Sequence, residues 1–325
     1  MSSFESMSKS LNSEFWHLHG DGVPDKCTHV DGNQNSCTGA NVLAERNYPC
    51  DTHVLAHFGN FTTTWPVGAT TFQAQLYQCL MAQTLWMKGE IEKRRSANSY
   101  GLLIWQMNEN WPTGGWGCIE FSTQGKSQKV LGGRWKPLMY LLKSSLLQDL
   151  FAACGHNNEC YVRNDGQLPR SADVRLESWN LTQQFSGAYH FFNVVLRPSE
   201  IRKCTHFRFD TYLPHISISV VFLTDRFSLP PNFTAGKNVV FVGVADHTEK
   251  QTFQENTYLW TYPKNMVELR EPVTIRVPII RALDDTTAEV VLLSTKVALF
   301  VVLSTEAEGH FTENAFTLRP NTPKV

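Results

Sequence analysis

A short cluster of polar and aromatic residues carries the side chains from which a carbohydrate site is built. The stretch 101–112 opens with an apolar run and closes with a dense set of indoles, amides and a carboxylate. Its members are Trp105, Gln106, Asn108, Glu109 and Trp111. Indole rings stack on the apolar face of a sugar ring, while amides and carboxylates hydrogen-bond its hydroxyls. The cluster therefore indicates a sugar-binding site, to which Trp116 in the following glycine-rich loop is added.

The elements that would position this cluster are a strand and two helices. The apolar run Leu102–Ile104 is too short for a helix and is bounded by glycine and proline, which predicts a fully buried strand of a parallel sheet. Apolar residues at helical spacing predict a helix before it, over Thr70–Arg95, and a helix after it, over Trp135–Phe151. A helix, strand, helix succession is typical of the closing part of an α/β barrel, where polar residues at a strand end mark a site.

The pattern of apolar and turn residues changes after Cys154. Short strand-like segments now recur with turn residues between them, which is typical of antiparallel sandwiches. The candidates are Asp173–Leu181, Tyr189–Leu196, His215–Leu223, Asn238–Val244, Thr257–Thr261, Val273–Val277, Ala288–Leu293 and Val297–Leu303. The fold class predicted for the whole chain is therefore α/β plus all-β.

Length and charge narrow the functional classes. At 325 residues the chain is long enough for two or three domains. The net charge is −1, the pI is about 6.8 and no basic block is present, so nucleic acid is not an expected partner. No apolar stretch approaches the roughly 18 residues of a membrane span. Nine Trp and twenty Phe suit a carbohydrate-binding protein and equally a large β-rich core.

Glycosylation sequons and cysteines point to the secretory route. Three Asn-x-Thr sequons begin at Asn60, Asn180 and Asn232, and eight Cys are present. The first residues lack the basic and apolar regions of a signal peptide, so we expect a secretory leader further upstream in the full-length protein.

A metal site is the alternative interpretation of the loop-rich region 20–68. Histidines and cysteines that zinc could use are His17, His19, Cys27, His29 and Cys37. Their spacing fits no standard zinc pattern, and a Cys27–Cys37 disulfide is favoured in a secreted protein. No metal or other cofactor is predicted, and the disulfide pairing cannot be deduced from the sequence.

The tryptophan-rich stretch resembles the last barrel strand of the β-mannosidase branch of glycoside hydrolase family 2. That strand typically reads Trp-Gln-Leu-Asn-Asp-x-Trp and is followed by a Trp-containing loop and Gly-x-Trp-Lys. The counterparts here are Trp105–Trp111, Trp116 and Gly133–Lys136. The segment Gly309–Phe316 resembles the Gly-x-Phe-Ser-Asp-Asn-x-Phe signature near the C-terminus of β-mannosidases.

The resemblance implies the C-terminal end of a TIM (β/α)8 barrel followed by two immunoglobulin-like β-sandwich domains. Tyr161–Asp165 is similar to the family's entry into the first sandwich, and Asn256–Leu259 with Pro263-Lys264 is similar to its exit. The expected domains are 1–153 for the end of the barrel, 154–267 for an Ig-like sandwich and 268–325 for a small C-terminal Ig-like sandwich. Met1–Met7 resembles the segment that follows the family's nucleophile strand, so we expect the chain to start just after that strand.

The function implied is hydrolysis of terminal non-reducing β-D-mannose with retention of configuration, without a metal or cofactor. Retention requires two carboxyl groups, and the family places both on earlier barrel strands, whose sequence contexts do not occur here. Asn108-Glu109 looks like the acid/base dipeptide, but its surroundings match the last strand, so Glu109 is only a weak catalytic candidate. We therefore expect the chain by itself to be unstable and inactive.

By family position, the predicted substrate-binding residues are Trp105, Asn108, Trp111 and Trp116. The expected ligand is a β-mannoside oligosaccharide or N-glycan-derived substrate, in the lysosome or vacuole or outside the cell. Two alternatives stay open: another family 2 activity, such as exo-β-glucosaminidase or β-galactosidase, and a non-catalytic carbohydrate-binding sandwich protein. The oligomeric state is not predicted.

Overall fold

The computed structural model describes most of the chain, with gaps. The described residues are 1–13, 16–18, 48–60, 62, 65–99, 101–110, 115–124, 130–154, 160–181, 184–204, 236–247, 254–266, 272–307 and 309–325. They form two compact units. The first comprises Met1–Lys88, Leu102–Lys143 and Phe300–Phe316, and the second comprises Gly89–Gly101, Ser144–Leu299 and Thr317–Val325.

Helices dominate the N-terminal part. They are α1 (Phe4–Ser10), α2 (Tyr48–His57), α3 (Ala69–Ser96) and α4 (Pro137–Leu141), and α4 continues as a π-helical turn, Leu142–Leu146. The predicted helix Thr70–Arg95 is confirmed as α3, because Phe72 and Leu76 lie on its buried face. These side chains pack with Met7 of α1 and Val54 of α2 in the core of the first unit.

The second predicted helix, Trp135–Phe151, is wrong at both ends. The observed helix begins at Pro137, whose fixed φ suits a first helical turn, and its π-helical continuation ends at Leu146. Leu150 and Phe151 instead begin a buried strand that pairs with the next strand along the chain. Leucines at helical spacing could not distinguish these two outcomes, because a short apolar run suits a buried strand equally well.

Antiparallel strands form most of the second unit. The strands among the described residues are β1 (Ser122–Gln124), β2 (Val130–Gly132), β3 (Leu150–Cys154), β4 (Cys160–Asn164), β5 (Arg170–Asn180), β6 (Gln184–Leu196), β7 (Ile201–Cys204), β8 (Asn238–Asp246), β9 (Gln254–Leu259), β10 (Ile275–Ala282), β11 (Ala288–Ser294), β12 (Ala298–Val301) and β13 (Phe316–Leu318). One sheet has the order β3-β4-β7 and another has the order β6-β5-β8-β9. Side chains of β3, β4, β5 and β8 share one apolar core, so the two sheets pack face to face as a sandwich.

The strand predictions after Cys154 hold where the structure describes them. Asp173–Leu181 corresponds to β5 and Asn238–Val244 corresponds to β8, which is buried along its whole length. The predicted strand His215–Leu223 lies outside the described residues. The remaining strands form two-stranded sheets, β1-β2, β10-β11 and β12-β13.

The predicted buried strand Leu102–Ile104 is a second correction. These residues have no regular secondary structure, and the Leu103 side chain is fully exposed. An isolated parallel bridge, between Asn108 and Ile119, is the only ladder contact recorded for this stretch within the described ranges. A parallel strand is stable only between hydrogen-bonded neighbours, so an apolar run without them stays irregular. A closed barrel is likewise not seen among the residues described here.

Within the described ranges, disulfides link Cys50 to Cys79 and Cys154 to Cys160. The first joins α2 to α3 and the second joins β3 to β4. The favoured Cys27–Cys37 pair lies outside the described residues. In the part of the chain that the structure covers, no helix is long and apolar enough to cross a membrane.

Candidate carbohydrate site

Three short segments of the first unit lie side by side and include Asn108, while Trp105 and Trp116 directly precede the first two of them. The segments are 106–109, 117–120 and 134–136. The Glu109 amide donates to the Ile119 carbonyl at 2.9 Å, and the Ile119 amide donates to the Met107 carbonyl at 3.0 Å. The Lys136 amide then donates to the Cys118 carbonyl at 2.9 Å, which adds the third segment. The backbone therefore fixes residues that are nearly 30 positions apart in the sequence.

The aromatic side chains of this arrangement face solvent. Trp105 is 76% exposed and Trp116 is 50% exposed. Asn108 is exposed, and its side-chain amide donates to the Glu109 carbonyl at 3.1 Å. The structure thus leaves Trp105, Asn108 and Trp116 accessible to a ligand, while Trp111 lies outside the described residues. Exposing a large apolar ring to water costs free energy, and clustered exposed apolar side chains commonly mark binding sites.

Glu109 is placed differently from its exposed neighbours. Its carboxylate is buried, pairs with the Lys136 ammonium and accepts the Gly117 amide at 2.9 Å. Burial lowers the pKa of Lys136, and the facing carboxylate opposes that shift. A general acid must reach the leaving oxygen of its substrate, and this carboxylate is fully shielded from solvent.

Cys118 lies beside the same ion pair. It is a free cysteine, and its thiol donates to the Gln106 carbonyl at 3.3 Å. Burial raises the pKa of Cys118 to about 11, with Lys136 lowering it and Glu109 raising it further. The thiol is therefore protonated at neutral pH and behaves as a small apolar group.

A second layer of polar contacts, which the sequence did not single out, supports the three segments. Arg134 donates to the carbonyls of Thr305 and Glu306 at 2.9 and 2.7 Å and to the Ser6 hydroxyl at 3.0 Å. Glu120 accepts the Ser3 amide at 2.7 Å and also the Ser6 hydroxyl. Both charged side chains are buried. In the sequence, Arg134 stands out only as part of the Gly-Arg-Trp-Lys match. Its hydrogen bonds could not be predicted, because its partners are more than 120 positions away.

The C-terminal signature segment Gly309–Phe316 also packs within the first unit. The His310 ring stacks on Trp135, with centroids 4.4 Å apart, and the Phe311 amide donates to the Tyr140 hydroxyl at 3.0 Å. Asn314 both accepts from and donates to the backbone of Leu303. The signature therefore acts locally as a packing and capping element.

The remaining predicted sites are distributed over the surface. Asn60 is exposed and Asn180 is half-buried, whereas Asn232 lies outside the described residues. Of the residues weighed as zinc ligands, His17 is buried near Gln75, and the other four lie outside the described residues. Within the described ranges no group of three or more His, Cys, Asp or Glu side chains could hold a metal ion.

Comparison with known proteins adds a family match for one end of the chain. Residues 269–325 match the Ig_mannosidase family, an Ig-fold domain. No curated protein matches the sequence of this chain.

Two solved structures are similar to nearly the whole chain. A β-D-mannosidase from Dictyoglomus thermophilum is 16% identical, with a TM-score of 0.58 over 87% of this chain and 30% of that protein. The exo-chitosanase CsxA from Amycolatopsis orientalis is 11% identical, with a TM-score of 0.63 over 100% of this chain and 38% of that protein. The chain thus spans about a third of the length of the structures it matches. It has an Ig-fold domain of the Ig_mannosidase type and is similar in fold to family 2 glycosidases.

Proposed function

We propose that this chain is the C-terminal part of a family 2 exo-glycosidase that removes terminal non-reducing β-D-mannose with retention of configuration. The observation that carries the proposal is the pair of exposed indoles, Trp105 and Trp116, held by three hydrogen-bonded segments. The Ig_mannosidase match and the similarity in fold to a β-D-mannosidase agree with it.

In this proposal Trp105 stacks on the apolar face of the terminal mannose. A ring with 76% of its surface exposed has room for a sugar, and burying it on binding removes apolar area from water. Asn108 reads a hydroxyl through its amide, and Trp116 forms a wall of the same subsite. Trp111 is proposed as a further wall on the strength of the sequence alone.

The two catalytic carboxyl groups are assigned to other parts of the full-length protein. A retaining glycosidase needs them roughly 5 to 5.5 Å apart, on either side of the scissile bond. The carboxylates of the site segments, Glu109 and Glu120, are both buried and already bonded within the fold. They therefore serve the architecture of the site, and the chemistry is proposed to come from elsewhere. The secretory or lysosomal location remains part of the proposal.

A second activity is favoured by one comparison. The exo-chitosanase CsxA matches the chain at a higher TM-score and over its full length. An exo-β-glucosaminidase would use the same stacking tryptophans and would differ in the group that reads position 2 of the sugar. A panel of aryl glycosides separates the two candidates.

The test uses the full-length protein that contains this chain. We expect hydrolysis of 4-nitrophenyl β-D-mannoside, with little turnover of the β-D-glucosaminide and β-D-galactoside. Trp105→Ala should raise KM about tenfold or more, because stacking and burial of one ring contribute about 1.5 kcal/mol or more. Trp86→Ala is the matched control, since Trp86 is 46% exposed on α3 and has no proposed role. Preferred turnover of the glucosaminide would support the second activity, and absence of glycosidase activity would refute both.

A further inference from the structure

We infer that Glu109 is a positioning residue, which holds the turn Gly115–Gly117 and thereby fixes Trp116 at the surface. The consequence for sugar binding rests on the proposed function, whereas the positioning itself can be measured without any ligand. A carboxylate that lies among indoles and amides would ordinarily be expected to hydrogen-bond a hydroxyl of the bound sugar. Here its burial directs it inward, to the backbone that carries the indole.

The carboxylate and the turn fit each other closely on both sides of Trp116. Oε1 accepts the Gly117 amide at 2.9 Å. Oε2 occupies the space that a side chain at Gly115 would need, so a Cβ there would overlap it. A Cβ at Gly117 would lie 2.7 Å from the backbone of Asn108 and Glu109. Two glycines therefore let the turn close over Glu109, and Trp116 is the residue between them.

Electrostatics explain why a carboxylate suits this position. Lys136 pairs with Oε1, and neither side chain of the pair has any solvent exposure. A hydrogen bond from an amide to an ionised acceptor is roughly twice as strong as one between neutral groups. Lys136 pairs with the same oxygen that accepts from Gly117, so the ion pair and the turn share one anchoring atom. Oε2 is buried and has no hydrogen bond within the described part of the chain, so Oε1 carries the anchoring contacts.

Trp116 has one other recorded backbone tether. Gln83 of α3 donates from its side-chain amide to the Trp116 carbonyl at 2.9 Å, in an exposed setting. An exposed hydrogen bond competes with water and contributes little net stability. The N-terminal amine of Met1 also donates to the Gly115 carbonyl, at 3.2 Å in a partly buried setting. The bond from Gly117 to Glu109 is the fully buried one of these three restraints on the turn. Without it, a 50% exposed indole would sample several orientations.

The experiment compares two double variants, made in the full-length protein that contains this chain, that both remove the buried charges. Glu109→Gln with Lys136→Met keeps an acceptor for Gly117, whereas Glu109→Leu with Lys136→Met removes it. The chain is labelled with 5-fluorotryptophan, and the ¹⁹F resonance of Trp116 is assigned with Trp116→Phe. Trp86 in the same chain serves as the internal control.

We expect the leucine variant to shift or broaden the Trp116 resonance, and the glutamine variant to leave it close to the wild-type position. Trp86 should be unchanged in both. A wild-type Trp116 signal in the leucine variant, or an equal change in both variants, would overturn the inference. If the leucine variant does not fold, Gly115→Ala gives the same decision, since its methyl group must displace the carboxylate and move Trp116.

Titration of the full-length protein with a slowly hydrolysed analogue, 4-nitrophenyl 1-thio-β-D-mannoside, separates this inference from the proposed function. Where the mannoside perturbs the Trp105 and Trp116 resonances, the leucine variant should bind it roughly two- to tenfold more weakly than the glutamine variant. If the mannoside perturbs neither resonance while the variants behave as expected, the proposed function fails and the positioning role stands.

Discussion

Breaking the ion pair between Glu109 and Lys136 should destabilise the chain in a pH-dependent way. Lys136→Met keeps the shape of the side chain and removes the ammonium that pairs with the buried carboxylate, which leaves the N-terminal amine of Met1 as the other positive group that interacts with it. Removing one partner of a buried pair typically costs about 3–5 kcal/mol, because an uncompensated charge remains in a low-dielectric site. Both side chains have 0% exposure, so solvent cannot relieve that cost.

Proton uptake sets an upper limit on the effect. A carboxylate can escape its uncompensated charge by binding a proton, and for a glutamate of ordinary acidity this costs about 3.7 kcal/mol at pH 7 and about 1 kcal/mol at pH 5. The loss of unfolding free energy in Lys136→Met should therefore be about 3–3.7 kcal/mol at pH 7 and fall to about 1 kcal/mol at pH 5. Glu109→Gln with Lys136→Met should lie within about 1 kcal/mol of the wild type at both values.

Urea unfolding, followed by tryptophan fluorescence and circular dichroism at pH 5 and pH 7, measures these differences. Arg94→Met is the control, because Arg94 pairs with Glu90 at 3.5 Å with half of its side chain exposed. That variant should change stability by less than about 1 kcal/mol. Equal destabilisation of the single and double variants, or a cost in Lys136→Met that is the same at pH 5 and pH 7, would refute this account of the pair.

Three further predictions concern other parts of the molecule. Burial raises the pKa of Glu177, but hydrogen bonds from Trp179 and Arg319 outweigh it and hold the pKa below its ordinary 4.5. The ionised Glu177 therefore contributes to the free energy of unfolding above pH 4.5, and this contribution is lost as the pH falls through the lowered pKa. In urea titrations, the stability difference between wild type and Glu177→Gln should shrink between pH 6 and pH 3. Removing the Cys50–Cys79 disulfide, which closes a separation of 29 residues, should cost about 3.6 kcal/mol on the chain-entropy model, and thermal unfolding of the double serine variant measures it. The chain alone should give no detectable turnover of an aryl β-mannoside, and measurable release of the aryl group would contradict the assignment of catalysis to other parts of the protein.

Local patterns were sufficient for elements whose stability is local or whose pairing repeats. The predicted helix Thr70–Arg95 differs from the observed helix Ala69–Ser96 by only one residue at each end. The prediction is this close because the apolar face and the length of a helix are determined by residues that follow one another in the sequence. The long strands β5 and β8 were predicted for a similar reason, since β-rich segments bounded by turn residues leave few alternatives.

Elements that depend on distant partners could not be predicted in the same way. Leu102–Ile104 has the composition of a buried strand, yet its state depends on neighbours that composition does not reveal. The same limit applies to the site. Trp105 and Trp116 were identified by residue type, whereas the burial of Glu109 depends on Lys136, which lies 27 positions away in the sequence. Both residues lie in segments that resemble family motifs, but those motifs do not indicate that the two side chains form an ion pair.

The measurement that tests the central claim most directly is the stereochemistry and sugar specificity of the full-length protein. With 4-nitrophenyl β-D-mannoside and proton NMR of the first-formed sugar, we predict β-mannose as the initial product, and a loss of affinity in Trp105→Ala that Trp86→Ala does not share. Formation of α-mannose, or equal effects of the two substitutions, would contradict the proposed function of the site.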